Sequence, residues 1–360
     1  MFIVPKLLVN ADGSLGERND VQSISIEHKL GIHASPTCVM AYGQKQGAIG
    51  YLVGEANRGL EYMFVMMNAA RLSVGLEGYA VADRAYQQAA EWARTRVQGK
   101  PPVPGVNAPA PIIHHPDVKR MLLTMKSQIE ALRAVALYAS FQLDLGARHP
   151  DAAIKAAAQA RGDLLIPVVK ACSTEAGIEL SSLGVQIHGG MGFVEETGAA
   201  QPYRDVRITT IYEGTTQIQA LDLLGRKTLH THAAGMKRFI GQIEAFCAAN
   251  PGSEFLPALQ DSVRLWSDIT AEIGTKANED PDALGAAAYD YLFLSAYICL
   301  AYWWAEMARV AAAGGDAELA RAKTETARFY FERILPRTTQ HAAAIRRGSR
   351  SLMAMDSALF

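Results

Sequence analysis

The sequence predicts a mainly α-helical protein, in which a partial β-domain precedes an antiparallel four-helix bundle and an additional C-terminal helical region. Short apolar or alternating runs, separated by glycine-rich turns, occupy residues 1–56. Apolar residues then recur at three- and four-residue steps through residues 57–228, which is the spacing of amphipathic helices. A further helical pattern fills residues 229–360. These three ranges are the predicted domains.

Composition narrows the class of protein. The chain has 360 residues, of which 49% are hydrophobic, and a net charge of −1, so it can bury a sizeable core. No charge excess favours binding to nucleic acid or to an anionic membrane. The four cysteines form no C-x-x-C pair, which predicts reduced thiols rather than a disulfide framework or a zinc site. Without a leader pattern or a long uninterrupted apolar run, a cytoplasmic location is expected.

Four strands are predicted in the β-region. They occupy residues 2–4, 21–26, 38–42 and 49–53, with turns at residues 10–13 and 43–47. A sheet of only four strands before the first helix is expected to be incomplete.

The bundle is predicted to consist of three long helices and a shorter one. Their expected ranges are 57–98, 116–147, 151–183 and a helix that opens near Thr215. Gly75, Gly78 and Ala82 would let another helix approach the first one closely. Asp151 is a suitable N-cap for the third. Helices of this length joined by loops give an antiparallel four-helix bundle.

The C-terminal region is predicted to be helical throughout. Candidate helices are residues 228–248, 255–275, 282–312 and 316–345. An aromatic cluster lies in the third of them, and it favours core packing or a subunit contact over ligand binding. The cluster comprises Tyr289, Tyr291, Phe293, Tyr302, Trp303 and Trp304.

One short stretch carries the most chemistry. Residues 211–219 read I-Y-E-G-T-T-Q-I-Q and place one carboxylate, Glu213, beside a glycine, two hydroxyls and two amides. A carboxylate between an aromatic ring and a glycine is expected to be partly desolvated, which suits a general base. The same letters could simply open a helix, with Thr215 as N-cap. Both interpretations stand on these residues alone.

Two motifs that precede this stretch favour the general-base interpretation of Glu213. Residues 185–192 read V-Q-I-H-G-G-M-G, and an R-D pair follows at residues 204–205. In this order, the three motifs resemble the acyl-CoA dehydrogenase family of flavoenzymes. The resemblance extends over nearly the whole chain. The C-terminal region is similar to that of the larger members, including the branch that contains 3-methylthiopropanoyl-CoA dehydrogenase.

The resemblance implies a reaction and the residues that perform it. Members remove the proton next to a thioester carbonyl and pass hydride from the β-carbon to FAD, and Glu213 matches their base. The other position used for a base is Ala70 here, which cannot take a proton. Tyr212, Gly214 and Arg71 are expected at the acyl-CoA substrate. Arg71 either shapes the surroundings of the base or forms a structural ion pair, with Asp205 or Glu77 as candidate partners.

The resemblance also implies how FAD is held. Gln186, Gly189 and Gly190 match residues near the adenine end of a FAD bound mainly to a neighbouring subunit. Thr215 and Gln217 match contacts to its adenosine or pyrophosphate. Arg96, at the end of the first long helix, is a further candidate for the pyrophosphate, although the helix dipole alone explains an arginine there.

Partners and alternatives complete the expectations. An electron-transfer flavoprotein is the implied electron acceptor, and shared FAD sites imply at least a homodimer. The family's N-terminal portion has no counterpart in this sequence, so a catalytically silent module for oligomerisation or interaction is the alternative. No metal site is predicted, because the histidines lack ligand spacing, and His188 is expected to pack in its loop.

Overall fold

The computed structural model describes residues 1–105 and 107–360. It divides into two units, Met1–Ala70 and Arg71–Phe360. The border falls inside the first helix, since the helix begins at Gly59 and ends at Thr95. The division into three domains expected from the sequence stays a prediction.

The first unit contains six short strands that pair two by two. β1 (Phe2–Ile3) pairs with β6 (Tyr51–Leu52), β2 (Leu7–Val9) with β3 (Leu15–Arg18), and β4 (Val21–Ile26) with β5 (Cys38–Tyr42), all antiparallel. The predicted bounds of β4 and β5 are confirmed. The expectation of one four-stranded sheet is wrong, because three separate pairs form. β2 and β3 were missed since they are very short and β3 reads L-G-E-R, without apolar alternation.

A buried asparagine ties these strand pairs together. The side-chain amide of Asn19 donates to the carbonyls of Pro5 at 3.0 Å and Ile49 at 2.8 Å. Its side-chain oxygen accepts from the N–H of Ile49 at 2.9 Å. One polar side chain therefore links the chain before β2, the start of β4 and the chain before β6.

The helical bundle of the second unit follows the prediction. Its helices are α1 (Gly59–Thr95), α2 (Pro116–Arg148), α3 (Ala152–His188), α4 (Ala200–Val206) and α5 (Thr216–Leu221), and α5 continues as a π-helical segment, Asp222–Leu229. The side chain of Asp151 accepts hydrogen bonds from the N–H groups of Ala153 and Ile154, so the predicted N-cap is confirmed. α3 runs beyond its predicted end and reaches the glycine segment that follows it.

Glycines bring α1 and α3 into close contact. A Cβ at Gly75 would lie 2.7 Å from Cγ1 of Val169, and a Cβ at Gly78 would lie 2.7 Å from the backbone of Ser173. The predicted close approach of another helix at these glycines is confirmed, and α3 is that helix. The crossing brings the adjacent α1 side chains next to the middle of α3.

The C-terminal region packs onto the bundle. Its helices are α6 (Ala234–Ala249), α7 (Leu256–Lys276), α8 (Ala283–Ala313), α9 (Ala317–Phe329), α10 (Arg337–Arg347) and α11 (Arg350–Met353). The single helix expected at residues 316–345 is wrong, because a π-helical segment and Pro336 separate α9 from α10. Tyr291 and Trp304 are fully buried, which confirms a core role for those members of the aromatic cluster.

α8 is also the most apolar helix. By length and composition it could cross a membrane, yet 72% of its most apolar window is buried inside the protein. The indole Nε1–H of Trp304, on α8, donates to the carbonyl of Ser127 on α2 at 2.8 Å. α8 is therefore a core helix that joins the C-terminal region to the bundle.

Candidate active site

The stretch at residues 211–219 forms a turn that enters α5. Glu213 and Gly214 both have left-handed backbone conformations, with φ angles of 56° and 90°. Thr215 is the N-cap of α5, and its hydroxyl oxygen accepts a hydrogen bond from the N–H of Ile218 at 3.4 Å. The capping interpretation of Thr215 is confirmed, and it leaves Glu213 outside the helix.

Glu213 combines a half-buried carboxylate with an available backbone donor. A left-handed conformation costs a residue that has a Cβ about 1–2 kcal/mol, so the surroundings must hold it in place. Among the described residues, neither the N–H of Glu213 nor that of Gly214 donates to a protein acceptor. The turn therefore presents a proton acceptor and a hydrogen-bond donor on the same residue.

Buried side chains hold the carbonyls of this turn. The ammonium of Lys170, which is fully buried on α3, donates to the carbonyl of Gly214 at 2.7 Å and to that of Thr209 at 2.8 Å. The side-chain amide of Gln219 donates to the carbonyl of Glu213 at 3.3 Å. Burial lowers the pKa of Lys170 to about 8, although the carboxylate of Glu175 acts against this shift.

The ring of Tyr212 is fixed from α1. Its hydroxyl donates to Oε2 of Glu77 at 2.6 Å. Burial raises the pKa of Tyr212 above its usual range, and the bond to Glu77 adds to the shift. The phenol therefore stays neutral, and its ring keeps a defined position beside Glu213.

Arg71 has a different partner from the two predicted candidates. It is buried on α1, and its Nη1 lies 3.6 Å from Oδ2 of Asp222. The prediction of Asp205 or Glu77 as its partner is wrong, because Glu77 accepts from Tyr212 and the π-helical segment after α5 carries Asp222 towards α1. Asp222 also contacts Arg226 at 2.8 Å, so it anchors two arginines.

Sequence reasoning missed Lys170, Glu175 and Asp222, and it gave Glu77 a different partner from the one observed, Tyr212. One of them left a usable signal, since Lys170 is the sole charged residue of the apolar stretch at residues 164–174. A lone charge in an apolar run of a helix indicates a buried charge that needs partners. Glu175, whose Oε1 accepts from the hydroxyl of Thr216 at 2.6 Å, left no such signal.

The glycine segment lies at the C-terminal end of α3. Gly189 has a φ of 62° and ends the helix, and Gly192 must be glycine because a Cβ would lie 2.3 Å from the carbonyl oxygen of Val185. Gly190 has neither constraint, since a Cβ there would meet nothing within 4 Å. Gly189 and Gly190 are exposed, as is Gln186. These residues form an open, glycine-floored surface.

An aromatic stack adjoins that surface. The ring of Trp92 stacks on His188 with centroids 5.1 Å apart, and the guanidinium of Arg96 lies 5.9 Å from the Trp92 ring centroid. His188 is buried and one ring nitrogen lies 2.7 Å from the Gly184 carbonyl oxygen, so its predicted packing role is confirmed. Within residues 1–105 and 107–360, no group of three His, Cys, Asp or Glu side chains is arranged for a metal.

The predicted site residues fall into two groups. Glu213, Tyr212, Gly214, Thr215 and Arg71 gather around the turn, near the middle of α3. Gln186, Gly189, Gly190 and Arg96 gather at the ends of α3 and α1. Lys170 and Gln186 are sixteen residues apart on α3, which corresponds to roughly 24 Å along the helix axis. Within one chain, the two groups therefore form two separate surfaces.

The chemistry of these surfaces suits a flavin nucleotide. At the second group, the backbone of Gly190 is open to close approach, and the exposed Arg96 supplies a positive charge for phosphate. Gln217 has a structural role, because its amide donates to the carbonyl of Gly285 on α8 at 3.2 Å. The residues present fit the group that the resemblance implies.

Comparisons with known proteins agree with the motifs. Residues 57–228 match the family model described as the C-terminal domain of acyl-CoA dehydrogenase, and residues 239–356 match one described as acetyl-CoA dehydrogenase C-terminal like. Over 93% of its length the chain is 44% identical to a 3-methylmercaptopropionyl-CoA dehydrogenase of Ruegeria pomeroyi. It is 31% identical, over its whole length, to a broad-specificity linear acyl-CoA dehydrogenase of Mycobacterium tuberculosis.

A solved structure has the same fold. An acyl-CoA dehydrogenase from Bacillus anthracis, complexed with FAD, matches 91% of the chain with a TM-score of 0.74 at 19% identity. The chain covers 57% of that structure, and it covers 58% and 63% of the two relatives named above. The motifs, the fold and these matches agree, and the chain belongs to the acyl-CoA dehydrogenase family.

Proposed function

We propose that the chain supplies the base and part of the flavin-binding surface of an enzyme that converts an acyl-CoA thioester to the trans-2-enoyl-CoA. The observation that carries this proposal is Glu213, a half-buried residue in a strained turn whose N–H donates to none of the described residues. Acyl-CoA as the substrate class is supported by the names of the relatives.

In this proposal the carboxylate of Glu213 takes the α-proton of the thioester. The negative charge that develops on the thioester carbonyl oxygen is stabilised by the N–H of Glu213, which donates to no acceptor in the part of the chain that the structure describes. Tyr212, held by Glu77, excludes water from the carboxylate. A bound FAD would supply the acceptor for the hydride of the β-carbon.

The second group of residues would hold the nucleotide end of FAD. Gly189 and Gly190 would let the protein backbone come close to the nucleotide. Gln186 would offer a side-chain amide, and Arg96 would supply a positive charge for the phosphates. The separation of roughly 24 Å along α3 supports the expectation that one FAD is shared by two chains, and hence a homo-oligomer. An electron-transfer flavoprotein as electron acceptor stays a prediction of the resemblance.

The test replaces Glu213 with glutamine, in protein with any preceding segment of the polypeptide restored. We expect kcat/KM for dehydrogenation of acyl-CoA to fall about 10²–10⁴-fold, because the amide cannot accept the proton. The flavin absorbance spectrum should be unchanged. Glu196→Gln is the matched control, since Glu196 is an exposed carboxylate in a short 3-10 helix, Glu195–Thr197, and should keep full activity.

Full activity in the Glu213→Gln protein would refute the assignment of the base. The alternative of a catalytically silent module gains no support from the relatives, which are named as dehydrogenases. A flavin titration decides between the two, because a silent module would associate normally and take up no FAD.

A further inference from the structure

Side chains from three elements hold three polar groups of the strained turn. Tyr212 is bonded to Glu77, the carbonyl of Glu213 accepts from Gln219, and the carbonyl of Gly214 accepts from Lys170. Of these bonds, the one from Lys170 is the shortest to a backbone atom of the turn, and its donor carries a full charge. Lys170, in the middle of α3, therefore fixes the peptide group that joins Gly214 to Thr215.

Within residues 1–105 and 107–360, Lys170 has no carboxylate partner in direct contact. Its ammonium is fully buried, and its recorded hydrogen bonds go to the carbonyls of Thr209 and Gly214, which lie on either side of Glu213 in the chain. Burying a charge lowers the stability of a protein unless the charge is paired and hydrogen-bonded. Lys170 has hydrogen bonds to two neutral carbonyls, so its burial alone does not explain why a lysine is present. The two hydrogen bonds of the ammonium fix the distance between the Thr209 and Gly214 carbonyls.

A second α3 side chain holds the other end of the same segment. Glu175, five residues after Lys170, accepts from the hydroxyl of Thr216 at 2.6 Å. Opposite charges on α3 thus bind a carbonyl before α5 and a hydroxyl in its first turn. Lys170 and Glu175 therefore both bind the segment around Glu213 and do not bond to each other.

We propose that Lys170 is a positioning residue, whose ammonium clamps the Thr209 and Gly214 carbonyls and thereby holds Glu213 in its left-handed conformation for proton removal. This inference rests on the proposed function of Glu213. A buried clamp of this kind matters most where a small displacement of the carboxylate slows the reaction.

The test compares Lys170→Met, which keeps the length but loses the donors, with Lys170→Arg, which keeps donors. Thr174→Val is the matched control, because the Thr174 hydroxyl is equally buried on α3 but bonds within its own helix, to the carbonyls of Lys170 and Ala171. All variants are made in the flavin-loaded protein with any preceding segment restored.

The first measurement is hydrogen–deuterium exchange of the peptide that covers residues 209–219. We expect exchange to quicken about tenfold or more in Lys170→Met, and to stay near wild type in Thr174→Val, because only the former frees the turn. Lys170→Arg should lie between them. Unchanged exchange in a folded Lys170→Met protein would overturn the proposal.

The second measurement is the kinetic isotope effect with an α-deuterated acyl-CoA. In Lys170→Met we expect kcat to fall about 10–100-fold with KM nearly unchanged, and the isotope effect to rise, because proton removal becomes slower. A merely structural role would lower the active fraction and leave the isotope effect as it was, which would refute the positioning role.

Two further outcomes are separable. If Lys170→Met is recovered unfolded, Lys170→Gln keeps a shorter, neutral donor and undergoes both measurements, with the same directions expected and the same results counting against the clamp. If the wild-type protein dehydrogenates no acyl-CoA, the proposed function fails, while the exchange measurement still decides whether Lys170 holds the turn.

Discussion

The two units contain similar apolar side chains but use them differently. In the first unit Phe2, Leu15 and Ile26 are more than 60% exposed, and Val21 is its one buried large apolar residue. In the second unit a continuous core runs from α1 to α10 and includes Trp266 and Trp304. The first unit relies on strand pairing and polar ties, and the second on burial. Hydrophobicity along a sequence therefore does not locate a core until the packing partner is known.

The strongest way to break this comparison is to remove one large side chain from each unit. Trp304→Ala should lower the free energy of unfolding by about 3–5 kcal/mol, because it leaves a cavity and removes the hydrogen bond from the indole to the Ser127 carbonyl. Ile24→Ala in β4 should change it by less than about 0.5 kcal/mol, since Ile24 is already exposed. Chemical denaturation of both variants measures the difference. Equal losses would contradict the contrast between the units.

Buried charge offers the next test, because residues 1–70 bury no charged side chain and the second unit buries Lys170. Its pKa is about 8 in the folded protein and 10.5 ordinarily. Between these values the unfolded chain binds more protons, so the free energy of unfolding should rise with pH, on the order of 3 kcal/mol across that window. Arg71, Glu175 and Glu213 surround this charge.

Denaturation curves at pH 7.5 to 10.5, for wild type and Lys170→Met, isolate this contribution. The free energy of unfolding should rise with pH in the wild-type protein, and this rise should be absent from Lys170→Met. The difference between the two curves is then the contribution of Lys170. A variant with the same pH dependence as wild type would mean that Lys170 already carries its charge as easily as it does in water.

The contrast between packed and open positions recurs within the glycine segment. Gly192→Ala should destabilise the protein by about 2 kcal/mol, because its Cβ would collide with the Val185 carbonyl. Gly190→Ala should leave stability unchanged but weaken FAD binding, since its Cβ would occupy open space on the proposed nucleotide surface. Thermal melts and flavin titrations separate the two effects. Loss of stability at Gly190 would argue against an open surface.

The smallest effect sharpens the description of the first unit. Asn19→Ala should cost about 1 kcal/mol, because it removes three hydrogen bonds that tie the strand pairs, and exchange at the Ile49 amide should quicken. The control is Asn10→Ala, because the Asn10 side chain bonds to the exposed Ser14 and to no strand outside its own turn among the described residues. If Asn10 proves as important as Asn19, polar ties are not what holds this unit.

Periodicity predicted most of the fold but little of its connections. The bounds of α2 and α8 differ from the predicted ones by one residue at each end or less, because long amphipathic patterns are strong signals. β2 and β3 were missed, because pairing of short polar strands depends on the backbone of a distant partner. The break between α9 and α10 was missed although Pro336 is a helix-breaking signal in the sequence, because the helical periodicity continues on both sides of it.

By itself, the sequence determined the family motifs, the helical class and the choice of Glu213 as the candidate base, because these depend on local residue types and spacing. Only the tertiary structure decided that Asp222 pairs with Arg71, that Lys170 reaches the Gly214 carbonyl, and that the two site groups are separate along α3. The physical reason is that a buried charge is satisfied by whatever packing brings near it, and that packing joins residues far apart in the chain.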